Sequence, residues 1–400
     1  MTSSFTKLAI LGSTGSIGQQ CLSVVESLTG RFGVVALAAG GNLEELAGQI
    51  EKFRPEVVSV GDATKVDDLA ERLRAKNVSP LPAIHHGREG MLAVGTHPDA
   101  AVVVSAAVGV VGLEATYEAV KMGKRVALSN KEVLVAAGEL VMAAAQKSGH
   151  ELLPVDSEHN AVHQCLRGGE RGEVRRLVLT ASGGPFRKTP LAGLQTVTPE
   201  QALAHPNWRM GNRISIDSAT MMNKGFEVIE ARWLFGVRPD QIDVVIHPQS
   251  TIHSMVEFVD GSVLAQLGPT DMRMPIQYAL TYPERAASNQ VALDWSKLRR
   301  LDFAKASTRR FPCLRLAREA LKKGGALPCA LNAADEIAVA AFLEQRLPFL
   351  GIPEVIERVL ERIPRVRFDK MDDVIAADLE ARRLAKEEVE QLTKTAAAAS

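Results

Sequence analysis

Lys7-Leu8-Ala9-Ile10-Leu11-Gly12-Ser13-Thr14-Gly15-Ser16-Ile17-Gly18 is the stretch that decides the fold. An apolar strand ends at Leu11, a glycine-rich turn follows, and a helical pattern continues through Val24, Val25 and Leu28. This order is typical of a dinucleotide site, because glycines let the backbone approach a pyrophosphate and a helix N-terminus favours negative charge. The spacing is G-x-x-G-x-x-G rather than G-x-G-x-x-G, so a simple tight turn between strand and helix is the alternative.

Repeated strand and helix patterns extend this unit into a parallel sheet. Predicted strands cover 34–38, 57–60, 101–105, 125–128 and 151–155, and predicted helices cover 67–75, 112–122 and a last stretch that ends near 146. The run 101–105 is apolar throughout, as expected for a strand buried on both faces. We predict an α/β fold with an N-terminal Rossmann-like domain over residues 1–155.

The turn after the second predicted strand bears on cofactor preference. Ala39-Gly40-Gly41-Asn42 contains no carboxylate, whereas an NAD-preferring site usually has Asp or Glu there to bind the ribose 2′-hydroxyl. The absence of a carboxylate leaves room for a 2′-phosphate and therefore favours NADP over NAD. No Arg or Lys occurs in this turn either, so the preference rests mainly on what is missing.

Polar residues follow the last two predicted strands, where ligands bind in open α/β sheets. The first group is Ser129-Asn130-Lys131-Glu132, and helix capping by Asn130 is its alternative interpretation. The second is Pro154-Val155-Asp156-Ser157-Glu158-His159-Asn160. Asp156 and Glu158 would point to the same side of an extended backbone, and a cation between them would relieve their repulsion. Oxygen ligands suit Mg²⁺ or Mn²⁺, and a solvated loop that caps the next helix is the alternative.

Three further stretches carry polar chemistry. A predicted strand at 176–180 leads into Ala181-Ser182-Gly183-Gly184-Pro185-Phe186, which can offer donors to a phosphate or be a plain turn. The stretch from His205 to Gly211 is predicted to be a loop that either forms a mobile cover over a site or anchors a buried aromatic side chain. The residue types of 218–227 predict an anion cradle followed by a helix that begins at Glu227. A surface ion pair between Lys224 and Glu227 is the alternative there.

The remaining chain predicts a mixed region and then a helical one. Strands at 242–246, 252–258 and 263–267 are predicted to be antiparallel, with Asp260-Gly261 as a hairpin turn and with His247 and His253 as structural residues. A helix at 272–280 precedes a linker over 283–312. Helices at 313–323, 330–346, 353–363 and 373–394 predict a C-terminal four-helix bundle. The expected domains are therefore 1–155, a central α/β catalytic and dimerisation domain at 156–282, the linker, and 313–400.

Composition excludes several classes of protein. Lys plus Arg and Asp plus Glu each total 47 in 400 residues, which argues against a nucleic-acid partner bound by bulk charge. The cysteines at 21, 165, 313 and 329 lack C-x-x-C spacing and predict buried thiols in a reducing compartment. Neither a signal-peptide pattern nor a membrane-length apolar run is visible. The expectation is a cytoplasmic protein without a membrane or nucleic-acid partner.

Taken together, the motifs resemble those of the 1-deoxy-D-xylulose 5-phosphate reductoisomerase family. The resemblance is carried, in family order, by 11–18, Asn130-Lys131-Glu132, 154–160, 181–186, His205-Pro206-Asn207-Trp208, 217–225 and 331–336. It implies a homodimer with NADPH, central catalytic and C-terminal helical domains. It also implies a divalent metal, Mg²⁺ or Mn²⁺ with Co²⁺ as a further option. The implied reaction breaks and re-forms a carbon–carbon bond of the substrate and reduces the resulting aldehyde to 2-C-methyl-D-erythritol 4-phosphate.

The resemblance also implies roles for individual residues. The implied catalytic residues are Lys131, Asp156, Glu158, His205 and Glu227, and the metal ligands among them are Asp156, Glu158 and Glu227. The implied cofactor contacts are Thr14, Gly15, Ser16, Ile17, Gly40, Gly41, Asn42, Asn130, Glu132 and Gly211. The implied substrate contacts are Lys131, Ser157, Glu158, Ser182, His205, Trp208, Ser218, Asn223, Lys224 and Glu227, with Met210 joining His205 and Trp208 in a lid. Gly41 departs from the family, in which a polar or basic residue often stands near the 2′-phosphate.

Two rival functions remain open at this point. A simple NADP-dependent dehydrogenase of the homoserine or semialdehyde type explains the first domain but gives no task to the three separated carboxylates. A non-enzymatic nucleotide-binding regulator would tolerate the loss of Asp156, Glu158 and Lys224. A requirement for divalent metal during NADPH oxidation would distinguish both from the leading hypothesis.

Overall fold

A computed structural model describes residues 5–208, 210–287 and 292–399 of the chain. Arg209 of the predicted cover loop and 288–291 of the predicted linker lie outside the described residues. The chain forms two compact units. The first comprises Met1–Val133, Val141–Asn160 and Asp271–Val291, and the second comprises Leu134–Leu140, Ala161–Thr270 and Ala292–Ser400.

The first unit contains a seven-stranded parallel sheet with the order β4-β3-β2-β1-β5-β6-β7. Its strands are β1 (Thr6–Leu11), β2 (Phe32–Ala38), β3 (Val57–Val60), β4 (Ala83–His86), β5 (Val102–Ser105), β6 (Arg125–Leu128) and β7 (Leu152–Pro154). The order reverses on either side of β1, which puts the ligand crevice of a doubly wound sheet at the end of that strand. The predicted Rossmann-like fold is confirmed. Strand β4 was missed because it is an exposed edge strand without an apolar pattern.

The second unit contains a five-stranded mixed sheet with the order β11-β10-β8-β9-β12. Its strands are β8 (Val174–Ala181), β9 (Ile242–Ile246), β10 (Ile252–Phe258), β11 (Val263–Leu267) and β12 (Ala304–Lys305). The predicted hairpin at Asp260-Gly261 is confirmed, since β10 and β11 pair antiparallel. The predicted antiparallel pairing of β9 is wrong for its neighbour β8, because β9 returns after several helices and pairs with β8 in parallel.

Helices complete both units. They are α1 (Ser16–Ser27), α2 (Leu43–Phe53), α3 (Val66–Ala75), α4 (Gly87–Gly95), α5 (Leu113–Lys121), α6 (Glu132–Ser148), α7 (Ser157–Cys165), α8 (Pro199–Leu203), α9 (Asn212–Thr220), α10 (Met222–Phe235), α11 (Arg273–Thr281), α12 (Pro312–Lys323), α13 (Leu327–Leu343), α14 (Gly351–Arg362) and α15 (Met371–Ala399). The last four confirm the predicted C-terminal helices. The predicted start of a helix at Glu227 is wrong, because α10 begins at Met222, after Met221 adopts a left-handed conformation (φ +64°) that separates it from α9.

The core of the first unit combines its strands with several helices, some of them distant in sequence. Leu8 and Ile10 of β1 are fully buried and belong to the same cluster as Val24 of α1 and Ile276 and Leu280 of α11. The segment that carries α11 therefore returns to the first unit after the chain has formed strands β8 to β11 of the second sheet. The four cysteines are buried free thiols, as predicted. Among the described helices, none is long and apolar enough to cross a bilayer.

Candidate active site

The turn between β1 and α1 allows close backbone approach. Gly12 has a left-handed backbone (φ +88°), and a Cβ there would lie 2.5 Å from the Ala106 carbonyl oxygen. A Cβ on Gly18 would lie 2.3 Å from the Gly12 carbonyl oxygen, so both positions require glycine. The first turn of α1 has neither a side-chain cap at Gly15 nor an acidic residue. Its backbone N–H groups are oriented to receive an anion such as a pyrophosphate.

Asn42 and Asn130, both predicted cofactor contacts, hold local structure in the first unit. The Asn42 Oδ1 accepts a hydrogen bond from the Glu45 N–H (3.2 Å) and caps α2. The Asn130 Nδ2 donates to the carbonyl oxygens of Ala107 and Gly109, the latter at 2.7 Å. Its Oδ1 accepts from the Glu132 N–H (3.1 Å), as the helix-capping alternative predicted. Asn130 therefore fixes the loop that follows β5 at the ligand-binding edge of the sheet.

Asp156 follows β7 and lies within ion-pair distance of two buried side chains. The Lys131 Nζ is 3.0 Å from the Asp156 Oδ2, and the His159 Nδ1 is 3.4 Å from the same oxygen. The Ser157 hydroxyl donates to the Glu158 Oε2 at 2.5 Å. The extended geometry expected for 156–158 is wrong, because α7 begins at Ser157 and the Asn160 N–H donates to the Asp156 carbonyl oxygen. Asp156 and Glu158 thus flank the start of a helix.

His205 and Ser182 meet in the second unit. The backbone N–H groups of Asn207 and Trp208 donate to the His205 Nδ1 at 3.2 and 3.0 Å. Since Nδ1 is an acceptor, the proton of a neutral imidazole is on Nε2, which lies 2.9 Å from the Ser182 Oγ. Burial, with help from the positive charge of Arg187, lowers the pKa of His205 below its ordinary 6.5 and favours this neutral form. The Ser182 Oγ also accepts from the Gly184 N–H, which leaves its own proton for a different acceptor.

The turn at Ser182 packs against the end of α9, which carries Ser218. Gly184 has φ +63°, and a Cβ there would lie 2.7 Å from the Ser218 carbonyl oxygen. The structure therefore brings together two stretches that the sequence predicted separately as anion-binding, and it does so within one unit.

The start of α10 holds a buried ion pair. The Lys224 Nζ donates to the Glu227 Oε2, and the Asn223 Nδ2 donates to the Glu227 Oε1 at 2.6 Å. Lys224 is 3% exposed and Glu227 is fully buried, so the alternative of a surface ion pair is excluded. A buried pair contributes little net stability, because desolvation offsets the attraction. Stability alone therefore does not account for this pair.

Comparisons with known proteins agree along the chain. The model of 1-deoxy-D-xylulose 5-phosphate reductoisomerase matches residues 8–138. The models of the family's C-terminal domains match 152–235 and 267–384. The chain belongs to this reductoisomerase family.

Individual members of the reductoisomerase family match nearly end to end. The enzyme of Solibacter usitatus is 54% identical over 382 residues, which are 95% of this chain and 96% of the relative. A solved structure from Zymomonas mobilis in complex with NADPH is 43% identical, with a TM-score of 0.90 and coverage of 97% and 100%. A solved structure in complex with NADPH, fosmidomycin and magnesium is 37% identical, with a TM-score of 0.91 and coverage of 97% and 99%.

The loop that bears the family's His-Pro-Asn-Trp sequence is anchored at its described residues. The Asn207 Nδ2 donates to the Pro248 carbonyl oxygen at 2.5 Å and lies 3.2 Å from the Ser250 Oγ. The half-buried Trp208 ring lies 6.4 Å from the ring of His253. His247 is structural as predicted, since its Nδ1 bonds to the Asp302 carbonyl oxygen and its ring stacks on Phe303.

Sequence reasoning missed several buried ionisable residues of the reductoisomerase chain. Glu230 is fully buried and lies one helical turn after Glu227 on α10, a spacing that could have indicated it. Arg213, at the start of α9, donates to the Asn332 Oδ1 at 2.8 Å and to the Glu336 Oε2 at 3.2 Å. Its Nη2 is also 3.5 Å from the fully buried Asp335 of α13. Residues so far apart in sequence give no local signal of this network.

Replacing Asp335 by asparagine is expected to flatten the dependence of stability on pH. Burial raises the pKa of Asp335 to about 6 from 3.8, against the opposing attraction of Arg213. The folded chain therefore binds this proton more tightly than the unfolded chain, and stability falls as pH rises from about 4 to 6. The effect is on the order of 1 to 3 kcal/mol. Thermal unfolding midpoints across this range would measure it, and an unchanged slope in Asp335→Asn would contradict the assignment.

Proposed function

We propose that this chain catalyses the NADPH- and divalent-metal-dependent conversion of 1-deoxy-D-xylulose 5-phosphate to 2-C-methyl-D-erythritol 4-phosphate. The observation that carries the proposal is the buried Lys224–Glu227 pair. Lys224 lies in the family sequence at 217–225, and the chain matches the family almost throughout. This reaction supplies precursors of isoprenoids by the non-mevalonate route, and the protein is cytoplasmic.

The residues of the first unit fit NADPH. The glycine turn at 12–18 admits a close ligand, and the proposed pyrophosphate contacts Thr14, Gly15, Ser16 and Ile17 all lie there. Gly40, Gly41 and Asn42 serve the adenosine side, and Asn130 and Glu132 serve the nicotinamide side. Gly211, which belongs to the second unit, is a further proposed contact on the nicotinamide side. Asn130 acts through the loop that it holds after β5, because its amide and carbonyl groups are both engaged locally.

The residues also fit a hard divalent cation, because every proposed ligand is a carboxylate oxygen. Asp156, Glu158 and Glu227 hold the ion, which is Mg²⁺ or Mn²⁺, with Co²⁺ as an alternative. When bound, the cation polarises the substrate's carbonyl and stabilises negative charge on oxygen, and NADPH supplies hydride. Lys131, which is 7% exposed, neutralises charge on Asp156 and directs an N–H toward the reacting oxygens. Ser157 contacts the same oxygens through its hydroxyl.

The second unit binds the substrate's phosphate. Ser182, Ser218, Asn223 and Lys224 provide hydroxyl, amide and ammonium donors, and the packing of Gly184 on α9 supports this grouping. Neutral His205 holds the Ser182 hydroxyl in its donating orientation. Trp208 and Met210 cover the substrate and exclude water, which strengthens the electrostatic interactions inside the site.

Two substitutions of His205 separate its contacts. Asparagine places an acceptor where Nδ1 lies and preserves the bonds from Asn207 and Trp208, but it loses the contact with Ser182. We expect His205→Asn to raise the KM for the phosphorylated substrate about tenfold, the value of one hydrogen bond to a charged group, with unchanged thermal stability. His205→Gln should keep the Ser182 contact and loosen the loop, so it should lower kcat more than it raises KM. Identical kinetics for the two variants would argue against separate roles for the Nδ1 and Nε2 contacts of His205.

The domain organisation predicted from sequence is part of the proposal. The NADPH-binding domain comprises residues 1–155, and the catalytic and dimerisation domain comprises 156–282. A linker at 283–312 connects the latter to the C-terminal helical domain at 313–400. A homodimer is supported by the edge strand β11, where Val263 is 49% and Leu264 39% exposed. Such an apolar edge is commonly covered by a partner.

The direct test of this function is NADPH oxidation with 1-deoxy-D-xylulose 5-phosphate as the substrate. We expect oxidation that stops with a chelator, resumes with Mg²⁺ or Mn²⁺, and is inhibited by fosmidomycin, which a solved relative binds. Oxidation that survives the chelator, or none with metal present, would overturn the proposal. The first outcome would favour a simple dehydrogenase, and the second a non-enzymatic regulator.

A further inference from the structure

We propose that Lys65 is the cation that recognises the 2′-phosphate of NADPH in this chain, replacing the basic residue that the turn after β2 lacks. The inference rests on the proposed use of NADPH and adds the residue that distinguishes it from NADH. Lys65 lies between β3 and α3, more than twenty residues beyond the turn at 39–42 that follows β2.

Two exposed turns lie side by side at this edge of the parallel sheet. The Ala39 N–H donates to the Ser59 carbonyl oxygen at 2.9 Å, and the Gly61 N–H donates to the Gly40 carbonyl oxygen at 2.8 Å. These bonds fix the end of β3 against the end of β2. A side chain that follows β3 can therefore serve a ligand bound at the turn after β2.

Lys65 follows β3 and reaches the turn after β2. Its Nζ lies 3.5 Å from the position a Cβ would take on Gly41, and 3.5 Å from that position on Gly61. A Cβ on Gly40 would meet no atom within 4 Å. The ammonium thus borders an open space that two successive glycines leave free of side chains.

The position of this space in the fold identifies its ligand. In doubly wound dinucleotide domains the ribose 2′ position lies at the end of the second strand. A carboxylate there selects the 2′-hydroxyl of NAD, whereas a nearby cation accommodates the 2′-phosphate of NADP. The turn at Gly40 and Gly41 offers no carboxylate, and the neighbouring Lys65 offers the cation.

A simpler explanation for the position of Lys65 is its ion pair with Asp62. The Nζ is 2.8 Å from the Asp62 Oδ2, and the two side chains are 34% and 50% exposed. Exposed pairs contribute little to stability, so a phosphate dianion can attract the ammonium with small loss. Asp62 is itself fixed from the other side, because its Oδ1 accepts from the Thr64 N–H and hydroxyl. Lys65 is therefore the partner that can reorient.

Direct binding of dinucleotides tests the inference without turnover. Nicotinamide fluorescence should be titrated with NADPH and with NADH on the wild type and on Lys65→Gln in the absence of substrate. We expect Lys65→Gln to weaken NADPH about ten- to a hundredfold, as for a lost hydrogen bond to a charged group, and to leave NADH unchanged. Competition by 2′,5′-ADP should weaken in parallel, while competition by 5′-AMP should not.

Two further variants sharpen the test. Gly41→Lys in the Lys65→Gln background should restore the preference, because the Cβ position at Gly41 meets only the Lys65 side chain. Lys76→Gln is the matched control, since Lys76 has similar exposure (32%) and an ion pair with Glu51 in the same unit. If Lys65→Gln weakens the binding of NADPH and NADH equally, or weakens the binding of neither, the inference about Lys65 is overturned and the proposed function is not. A wild type that binds neither would overturn the proposed function as well.

Discussion

Replacing Glu227 by glutamine is expected to lower kcat by about a hundredfold or more and to weaken binding of Mg²⁺. Glutamine has nearly the same size as glutamate but lacks the charge that a hard cation requires. Because Glu227 is not among the proposed cofactor contacts, NADPH affinity should change little. Steady-state rates over a range of Mg²⁺ concentration would give both kcat and the apparent metal affinity.

Glu257→Gln provides the control for Glu227→Gln. Glu257 belongs to the same unit and pairs with Arg176 on the sheet rather than with Lys224, and its side chain is 12% exposed. This variant should keep the metal dependence of the wild type. Comparable loss of NADPH and metal binding in Glu227→Gln would count against the assignment of Glu227 as a ligand.

Replacing Lys224 by methionine is expected to affect both stability and substrate binding. It removes the ammonium that the structure places on the fully buried Glu227, and breaking a buried pair costs about 3 to 5 kcal/mol. It also removes a proposed phosphate donor, so the KM for the substrate should rise by about a hundredfold. Chemical unfolding and steady-state kinetics would measure the two effects separately.

A double substitution distinguishes the structural from the functional part of this loss. Lys224→Met combined with Glu227→Gln leaves no unpaired charge from the pair, so most of the stability should return. Activity should not return, because both the phosphate donor and the metal ligand are absent. A double variant as unstable as Lys224→Met alone would show that the ion pair is not the source of the loss.

Local patterns in the sequence were sufficient to predict much of the fold. The apolar runs and the glycine turn at 12–18 predicted the parallel sheet, and the helical periodicity beyond residue 312 predicted the four C-terminal helices. Patterns failed where pairing partners are distant in sequence. Strand β9 pairs in parallel with β8 although more than sixty residues separate them, and no local signal gives that direction.

For the candidate site too, features that depend on local sequence were predicted, and features that depend on distant residues were not. The segments that hold Asp156, Ser182 and Lys224 were found from residue types and family resemblance. Their surroundings were not, since the burial of Lys224 and Glu227 reversed the surface interpretation of their spacing. No role was predicted for Lys65, or for Asp335 within the family stretch 331–336, because Gly41 and Arg213, which lie near them in space, are distant in sequence.

Titration with Mn²⁺ tests most directly the claim that Asp156, Glu158 and Glu227 share one ion. Free Mn²⁺ can be counted by electron paramagnetic resonance while the wild type, Asp156→Asn, Glu158→Gln and Glu227→Gln are titrated. We expect one site per chain in the wild type, weakened by each of the three substitutions while NADPH binding persists. Wild-type Mn²⁺ affinity in Glu227→Gln, alongside its loss in Asp156→Asn, would contradict the shared site.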